Sequence, residues 1–220
     1  MRVNIAIDGP SAAGKSSIAE ILAQKLGFVH LDTGAMYRCV AYKALTTGMD
    51  PEDETALVRM LKETKIELTP TGNVFLDDQD VTRAIRTAEV SMAASRISAH
   101  AGIRSELVRR QQEMARTMDC VMDGRDIGTV VLPHAQVKIF LTASVHARAL
   151  RRLAQIAKDG GQDDLASIEK AIIARDDADM HRAVSPLVQA PDAILIDNSS
   201  MTKEETVAAI MRYIEPVLQR

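Results

Sequence analysis

The sequence contains little of what marks several protein classes. Its 220 residues include no Trp, and aromatic side chains make up 3% of the chain. Binding of single-stranded nucleic acid needs exposed rings on which successive bases stack, so this composition argues against such a platform. The formal net charge is −3, from 27 Lys and Arg against 30 Asp and Glu. No overall field attracts nucleic acid polymers or a membrane surface, and positive charge for a polyanionic ligand must be gathered locally.

Cysteines and long apolar segments are also scarce. Cys39 and Cys120 are the only two cysteines, and neither they nor the five histidines show the spacing of a disulfide framework or a metal site. No run approaches the ~20 apolar residues that span a bilayer. The apolar run at residues 3–8 is too short for the core of a signal peptide. We therefore expect a cytoplasmic protein without membrane association.

Strand and helix patterns alternate along the chain. Apolar runs at 3–8, 28–32, 120–123, 137–141 and 193–197 are each followed by a helix-forming segment. Parallel neighbours need crossover connections, so this order predicts an α/β fold with a parallel sheet flanked by helices.

Two segments interrupt that alternation. Short alternating runs between residues 65 and 82, broken by Pro70, Gly72 and Asn73, predict a small antiparallel insert. The polar, Gly-rich stretch at 157–164 separates two charged helical segments. Both a mobile lid and an ordinary surface turn have this composition.

The stretch GPSAAGKS at 9–16 matches the phosphate-binding pattern G-x-x-x-x-G-K-[ST]. In this pattern the backbone N–H groups and the start of the following helix face the phosphates. Lys15 reaches the β and γ phosphates, and Ser16 offers its hydroxyl to Mg²⁺. The stretch lies between a predicted strand and a predicted helix, so we predict a nucleoside triphosphate site. Its residues are Gly9, Pro10, Ser11, Ala12, Ala13, Gly14, Lys15, Ser16 and Ser17.

A phosphate loop serves both phosphotransferases and nucleotide-dependent switches. The strings N-K-x-D and D-x-x-G, expected of a guanine-reading switch, are absent from the chain. Several arginines favour a kinase, since phosphoryl transfer needs cations on the phosphate oxygens. Arg125 follows a predicted strand at the sheet edge where ligands bind. Arg175, Asp179 and Arg182 share one helix face, for which intrahelical ion pairs are the alternative interpretation.

Seven stretches resemble the bacterial-type cytidylate kinases. They are IDGPSAAGKSS, HLDTGAMYR, DQDVTRAIRT, AASRIS, IRSELVRRQQ, DGRDIGTVVLPHAQVKIFL and RDDADMHRAVSPL, and they extend to about residue 190. The resemblance implies a nucleoside monophosphate kinase fold with ATP as donor, CMP and dCMP as acceptors, and Mg²⁺. It also implies a core at 1–64 and 101–220, an inserted monophosphate-binding domain at 65–100, and a lid around 152–172.

The resemblance also assigns roles to individual residues. Lys15, Arg38, Arg125 and Arg182 are the implied catalytic residues, and Ser16 is the implied metal ligand. The implied CMP site consists of Thr33, Arg38, Ser95, Arg104, Arg125, Asp126, Arg175, Asp179 and Arg182. Within it, Ser95, Arg104 and Asp126 read cytosine. Arg148, Arg151 and Arg152 are candidates to close over the ATP phosphates, and the one-turn spacing of Arg148 and Arg152 assigns these two to ATP. A solvated basic helix face is the alternative.

These expectations define one reaction and one open question. No Ser/His/Asp or Cys/His arrangement indicates a covalent intermediate, so we expect direct in-line transfer. Asp123 and Asp126 are both candidates to hold Mg²⁺ through water, and Asp126 is assigned first to the base. The expected partners are small molecules only, with the chain as a monomer. A kinase of the same fold acting on UMP or another small metabolite remains the alternative.

Overall fold

The computed structural model describes residues 2–158 and 160–219. Met1, Asp159 and Arg220, which fall in the predicted core and lid segments, lie outside the described residues. The strands are β1 (Asn4–Asp8), β2 (Val29–Asp32), β3 (Ile66–Leu68), β4 (Val74–Leu76), β5 (Gln79–Asp80), β6 (Cys120–Gly124), β7 (Val137–Thr142) and β8 (Ile194–Asp197). The helices are α1 (Lys15–Leu26), α2 (Thr33–Thr46), α3 (Glu54–Lys62), α4 (Ala88–Ile97), α5 (Ala101–Thr117), α6 (Val145–Lys158), α7 (Leu165–His181) and α8 (Lys203–Leu218).

The central sheet has five strands in the order β2-β6-β1-β7-β8, and every neighbouring pair is parallel. The α/β prediction is therefore confirmed. Asp8 at the end of β1 pairs with Gly124, and Asp32 at the end of β2 pairs with Asp123. The segments that leave β1, β2 and β6 consequently meet at one edge of the sheet, where open parallel sheets bind ligands.

Apolar side chains cover both faces of this sheet. Ile5 and Ile7 of β1 pack with Leu22 of α1 and with Ile210 and Ile214 of α8 on one face. On the other face a second cluster combines β1, β2 and β6 side chains with Ala115 of α5. Burial on both faces explains why the strands read as continuous apolar runs.

The insert is a three-stranded antiparallel sheet in the order β3-β4-β5, followed by a 3-10 turn at Ala84–Arg86 and by α4. Its buried residues Val74, Leu76 and Ile85 belong to one cluster with Met36 of α2 and Leu107 of α5. The insert therefore shares its core with α2 and α5. The domain boundaries at 65 and 100 stay a prediction.

Two local features position segments near the sheet edge. α2 starts at Thr33, because the carboxylate of Asp32 accepts a hydrogen bond from the Ala35 N–H at 3.0 Å. The segment predicted to form a helix after residues 120–123 contains a five-residue π-helix at Ile127–Val131. In the described part of the chain, no helix is both long and apolar enough to cross a membrane.

Candidate active site

The phosphate loop begins at Gly9, where β1 passes close to β7. Gly9 has φ +150, and a Cβ there would lie 1.9 Å from the Leu141 carbonyl oxygen, so only glycine fits. Gly14 adopts the left-handed conformation, with φ 91, and α1 begins at the next residue. The start of α1 therefore faces the loop, as phosphate binding requires.

Lys15 is buried within this loop. Its Nζ donates to the Pro10 carbonyl oxygen at 2.7 Å. Burial, with the nearby charge of Arg125, lowers the pKa of Lys15 to about 7. An anionic phosphate placed beside Lys15 would favour the charged form of its amine. The attraction between the two charges would then favour phosphate binding at this position.

Ser16 and Asp123 meet at the end of β6. The exposed Ser16 hydroxyl donates to Asp123 Oδ2 at 2.7 Å. The other carboxylate oxygen pairs with His30 Nε2 at 2.8 Å, and Thr33 Oγ1 donates to the Asp123 carbonyl at 2.7 Å. Burial alone would lower the pKa of His30, but the hydrogen bond to Asp123 raises it.

The Ser16 hydroxyl and the Asp123 carboxylate are hard oxygen donors that fit Mg²⁺. This ion commonly keeps several waters and takes one or two carboxylates together with substrate phosphates. Among residues 2–158 and 160–219, no cluster of three or more His, Cys, Asp or Glu side chains could hold a metal. The pair therefore suits an ion that arrives with a nucleotide.

Asp179 of α7 is surrounded by guanidinium groups. Arg125 Nε donates to Asp179 Oδ2 at 2.8 Å, while Arg175 Nε and Arg182 Nη1 lie 3.6 and 3.8 Å from its oxygens. Burial alone would raise the pKa of Asp179, but Arg125, Arg175 and Arg182 hold it below its usual value. These side chains form a compact cationic cluster beside the phosphate loop.

Arg104 and Asp126 form a buried ion pair. Arg104 Nη2 donates to Asp126 Oδ2 at 2.5 Å, and Arg104 Nη1 donates to the Ser98 carbonyl at 3.1 Å. The guanidinium also lies 5.4 Å from the centre of the Tyr37 ring, a cation–π distance. Arg182 Nη2 lies 3.8 Å from the second oxygen of Asp126, which links this pair to the cationic cluster.

Arg38 lies on α2 and donates to Asp32 Oδ2 at 2.7 Å. The described residues supply no hydrogen-bond partner for four buried guanidinium N–H groups, which belong to Arg38, Arg104, Arg175 and Arg182. Unpaired buried donors cost free energy. A ligand that carries acceptor oxygens or nitrogens would satisfy them.

Ser95 lies at the rim of this region. It lines a cavity of about 210 Å³ together with Ser98, Asp179 and Arg182. A larger open groove of about 450 Å³ runs along α3 from Glu54 to Lys62, but it contains no predicted site residue. We therefore place the site at the smaller cavity, which is lined by Asp179 and by Arg182, one of the arginines with an unpaired donor.

The two arginines proposed for the lid occupy different positions. Arg148 is buried and donates to the Ser11 carbonyl at 3.1 Å and to Asp176 Oδ2 at 2.6 Å, while Asp176 Oδ1 accepts from the Ser11 N–H at 3.3 Å. Arg152 contacts Gln155 of its own helix at 3.4 Å. The structure thus brings Arg148, but not Arg152, to the phosphate loop. Their role over ATP stays a prediction.

A sequence model of the family described as cytidylate kinase matches residues 5–216. The chain belongs to the cytidylate kinase family. A cytidylate kinase from Leuconostoc mesenteroides is 49% identical over 214 residues, covering 96% of each chain. One from Ligilactobacillus salivarius is 47% identical over 217 residues, covering 97% of each chain. The kinase interpretation and the resemblance are confirmed.

Solved structures agree with the fold of this cytidylate kinase family member. A shikimate kinase from Bacteroides thetaiotaomicron superposes with a TM-score of 0.51 at 14% identity, covering 99% of each chain. An uncharacterised protein from Eubacterium ventriosum gives a TM-score of 0.54 at 11% identity, covering 97% of this chain and 99% of the other. At such low identity the likeness concerns the fold alone.

Sequence reasoning missed several side chains around the site, among them Asp176 and Asn198. Asp176 Oδ1 accepts from the Ser11 N–H, and the Asn198 amide donates to the Ala13 carbonyl at 3.1 Å. Arg151, named among the lid candidates, also donates to the Ala13 carbonyl and to Asn198 Oδ1. Asp8 could have been found from its position, because it is the last residue of β1 and lies at the ligand-binding edge of the sheet.

Proposed function

We propose that this kinase transfers the γ-phosphoryl group of ATP to CMP and dCMP, giving ADP with CDP or dCDP. The observation that supports it most directly is the buried Arg104–Asp126 pair beside the cationic cluster around Asp179. The Arg104–Asp126 pair offers hydrogen bonds to a base, and the cationic cluster offers positive charge to a phosphate. The relatives named cytidylate kinase point to the same acceptor.

The polar pair suits cytosine. Cytosine presents an N4 amino donor beside the N3 and O2 acceptors. The Asp126 carboxylate accepts from N4, while Arg104 and Ser95 donate to the acceptor edge. Arg104 Nε has no partner among the described residues and is available for this purpose. Uracil exchanges donor for acceptor at two of these positions and would leave buried groups unpaired, which is how a site of this type rejects it.

The acceptor phosphate is assigned to Arg38, Arg125 and Arg182, and the sugar to Arg175 and Asp179. An arginine grips phosphate with two parallel N–H groups and stays charged at working pH. The acceptor phosphate is already anionic, so the chief tasks are to neutralise charge and to align the two phosphates in line. Thr33, whose hydroxyl donates to the Asp123 carbonyl oxygen, is assigned to the CMP site as well.

The donor phosphates are assigned to residues 9–17, with Lys15 on the terminal phosphates. Ser16 and Asp123 would hold Mg²⁺, which when bound neutralises charge on the phosphate oxygens. Arg148 stabilises the phosphate loop by donating a hydrogen bond to the Ser11 carbonyl oxygen. The proposal includes small molecules as the only partners and a monomer acting in the cytoplasm.

The test is ADP release from Mg-ATP with CMP, dCMP, UMP, AMP and GMP as separate acceptors, and without acceptor. We expect turnover mainly with CMP and dCMP. Asp126→Ala should raise the CMP KM more than the ATP KM, whereas the exposed Asp177→Ala on the same helix as Asp179 should change neither. Arg125→Ala should greatly reduce turnover while the protein stays folded.

Two results would contradict the proposal. Turnover confined to an acceptor other than CMP and dCMP would move the chain to the alternative kinase of the same fold. Equal losses for both nucleotides in Asp126→Ala would mean that Asp126 does not read the base.

A further inference from the structure

Asp8 ties the phosphate loop to the acceptor side of the site. It is the last residue of β1 and is 5% exposed. Asp8 Oδ1 accepts a hydrogen bond from the Ile127 N–H, and Asp8 Oδ2 accepts one from the Gly128 N–H, each at 2.7 Å. Both oxygens of one buried carboxylate are thus used on two successive amides of a distant segment.

Those two amides open the π-helix at Ile127–Val131. The first N–H groups of a helix have no partner inside it and need an acceptor from elsewhere. The Asp8 carboxylate supplies that acceptor and places negative charge where a helix start favours it. Short π-helical turns are rare and frequently occur at functional sites.

The residue immediately before this turn is Asp126. Its backbone is not helical, with φ −144 and ψ 26, and its carbonyl accepts from the Val130 and Val131 N–H groups at 2.9 and 3.2 Å. The turn therefore holds Asp126 by its carbonyl, and Asp8 holds the turn by its first amides.

The packing at Gly128 shows how closely the turn approaches Asp8. A Cβ at Gly128 would lie 3.3 Å from Asp8 Oδ2 and 3.2 Å from Lys138 Cδ. Such contacts are tighter than ordinary van der Waals distances. A Cβ at residue 128 would therefore require the turn, the Asp8 carboxylate or the Lys138 side chain to shift by a few tenths of an ångström.

We propose that Asp8 is a positioning residue for acceptor recognition, because it fixes the segment that carries Arg125 and Asp126. The inference rests on the proposed function for the identity of the acceptor, CMP. Both Asp8 oxygens are occupied by backbone amides, so we assign it no contact with either nucleotide. Since Gly9 follows it directly, one residue sets the spacing between the loop that holds the donor and the segment that reads the acceptor.

The isosteric change Asp8→Asn tests this role. Asn keeps the size of the side chain but offers one acceptor oxygen, so one of the two amides loses its partner. The matched control is Asp119→Asn. Asp119 Oδ1 also accepts from a backbone amide, that of Val3 at 2.8 Å, but at the opposite end of β1.

Two measurements are made on the full chain. Calorimetry gives the Kd for CMP and, separately, for ATP, and NMR amide exchange reports the Ile127 and Gly128 N–H groups without nucleotide. For Asp8→Asn we expect CMP binding to weaken about tenfold, the size of one lost hydrogen bond to a charged group, with less than about threefold change for ATP. Exchange at Ile127 and Gly128 should accelerate, and Asp119→Asn should match the unsubstituted protein in both.

A second variant, Gly128→Ala, disturbs the contact between Asp8 and the turn by a change in the turn. It should also weaken CMP binding more than ATP binding. Unchanged CMP binding with unchanged exchange in both variants would overturn the inference, as would equal weakening of the two nucleotides. If the unsubstituted protein does not bind CMP, the proposed function fails. Amide exchange then still decides whether Asp8 holds the turn.

Discussion

Removing one member of the buried Arg104–Asp126 pair should destabilise the fold as well as disturb the site. The two side chains are 3% and 6% exposed. Removing one member of a buried ion pair leaves an uncompensated charge and costs about 3–5 kcal/mol. In Arg104→Met the remaining Asp126 still has Arg182 at 3.8 Å, so we expect the lower end, about 3 kcal/mol. For a chain of this size each kcal/mol lowers Tm by about 2–4 °C, so the expected fall is about 6–12 °C.

Arg109→Met provides the matched control on the same helix. Arg109 pairs with Glu106 and Glu113 at 2.7 and 2.6 Å, but its side chain is 53% exposed. Water and ions screen such pairs, so this substitution should change the free energy of unfolding much less than Arg104→Met does.

The assay is urea unfolding of both single variants, of Asp126→Asn, and of the double variant Arg104→Met/Asp126→Asn, without nucleotide. The double variant removes both charges together. It should therefore be more stable than the sum of the single losses implies, with a coupling of about 1–3 kcal/mol. The reasoning is refuted if Arg104→Met costs no more than Arg109→Met, or if the two losses simply add.

Three further predictions concern the phosphate loop and the end of β1. Gly9→Ala should destabilise the fold by about 3 kcal/mol because the new Cβ meets a backbone oxygen at 1.9 Å. Gly27→Ala, with φ +67 and open space, should cost only about 1 kcal/mol by urea unfolding, and equal losses would contradict this account. Ser16→Ala should raise the Mg²⁺ concentration needed for half-maximal rate about tenfold, whereas Ser17→Ala should not; unchanged Mg²⁺ dependence in Ser16→Ala would exclude its hydroxyl as a ligand. Burial raises the pKa of Asp8 from 3.8 to about 6, so its contribution to the free energy of unfolding is full below pH 3.8 and is lost as pH rises through 6. That loss is about 3 kcal/mol, and the stability of Asp8→Asn measured from pH 4 to 7 should lack it; parallel curves for the two proteins would show otherwise.

The sequence predicts the fold well because its signals are local. Continuous apolar runs mark the buried parallel strands, and Pro70, Gly72 and Asn73 mark the antiparallel insert. The boundary between β2 and α2 is sharp because Asp32 ends the strand and caps the helix. The π-helical form of the segment after β6 could not be predicted, because the acceptor of its first amide, Asp8, lies 119 residues earlier in the chain.

For the site as well, local signals could be predicted from the sequence and contacts between distant residues could not. The ends of β1, β2 and β6 could be placed together from topology alone, and their residues do meet at one edge. Contacts between the phosphate loop and the C-terminal half could not be predicted from the sequence, since Asp176 lies 165 residues from Ser11. Helix spacing alone gave equal support to Arg148 and Arg152, but only tertiary packing determines which of them points inward.

The contacts of Ser11 also limit how the α6–α7 hairpin can move. Its carbonyl accepts from Arg148 of α6, its amide donates to Asp176 of α7, and the two side chains pair with each other. Rotation of the whole hairpin as a rigid body would either break these contacts or move the phosphate loop together with the hairpin. We therefore expect the hinge of any closing movement to lie beyond these two residues, so that the hairpin bends near its tip while its base remains part of the donor site.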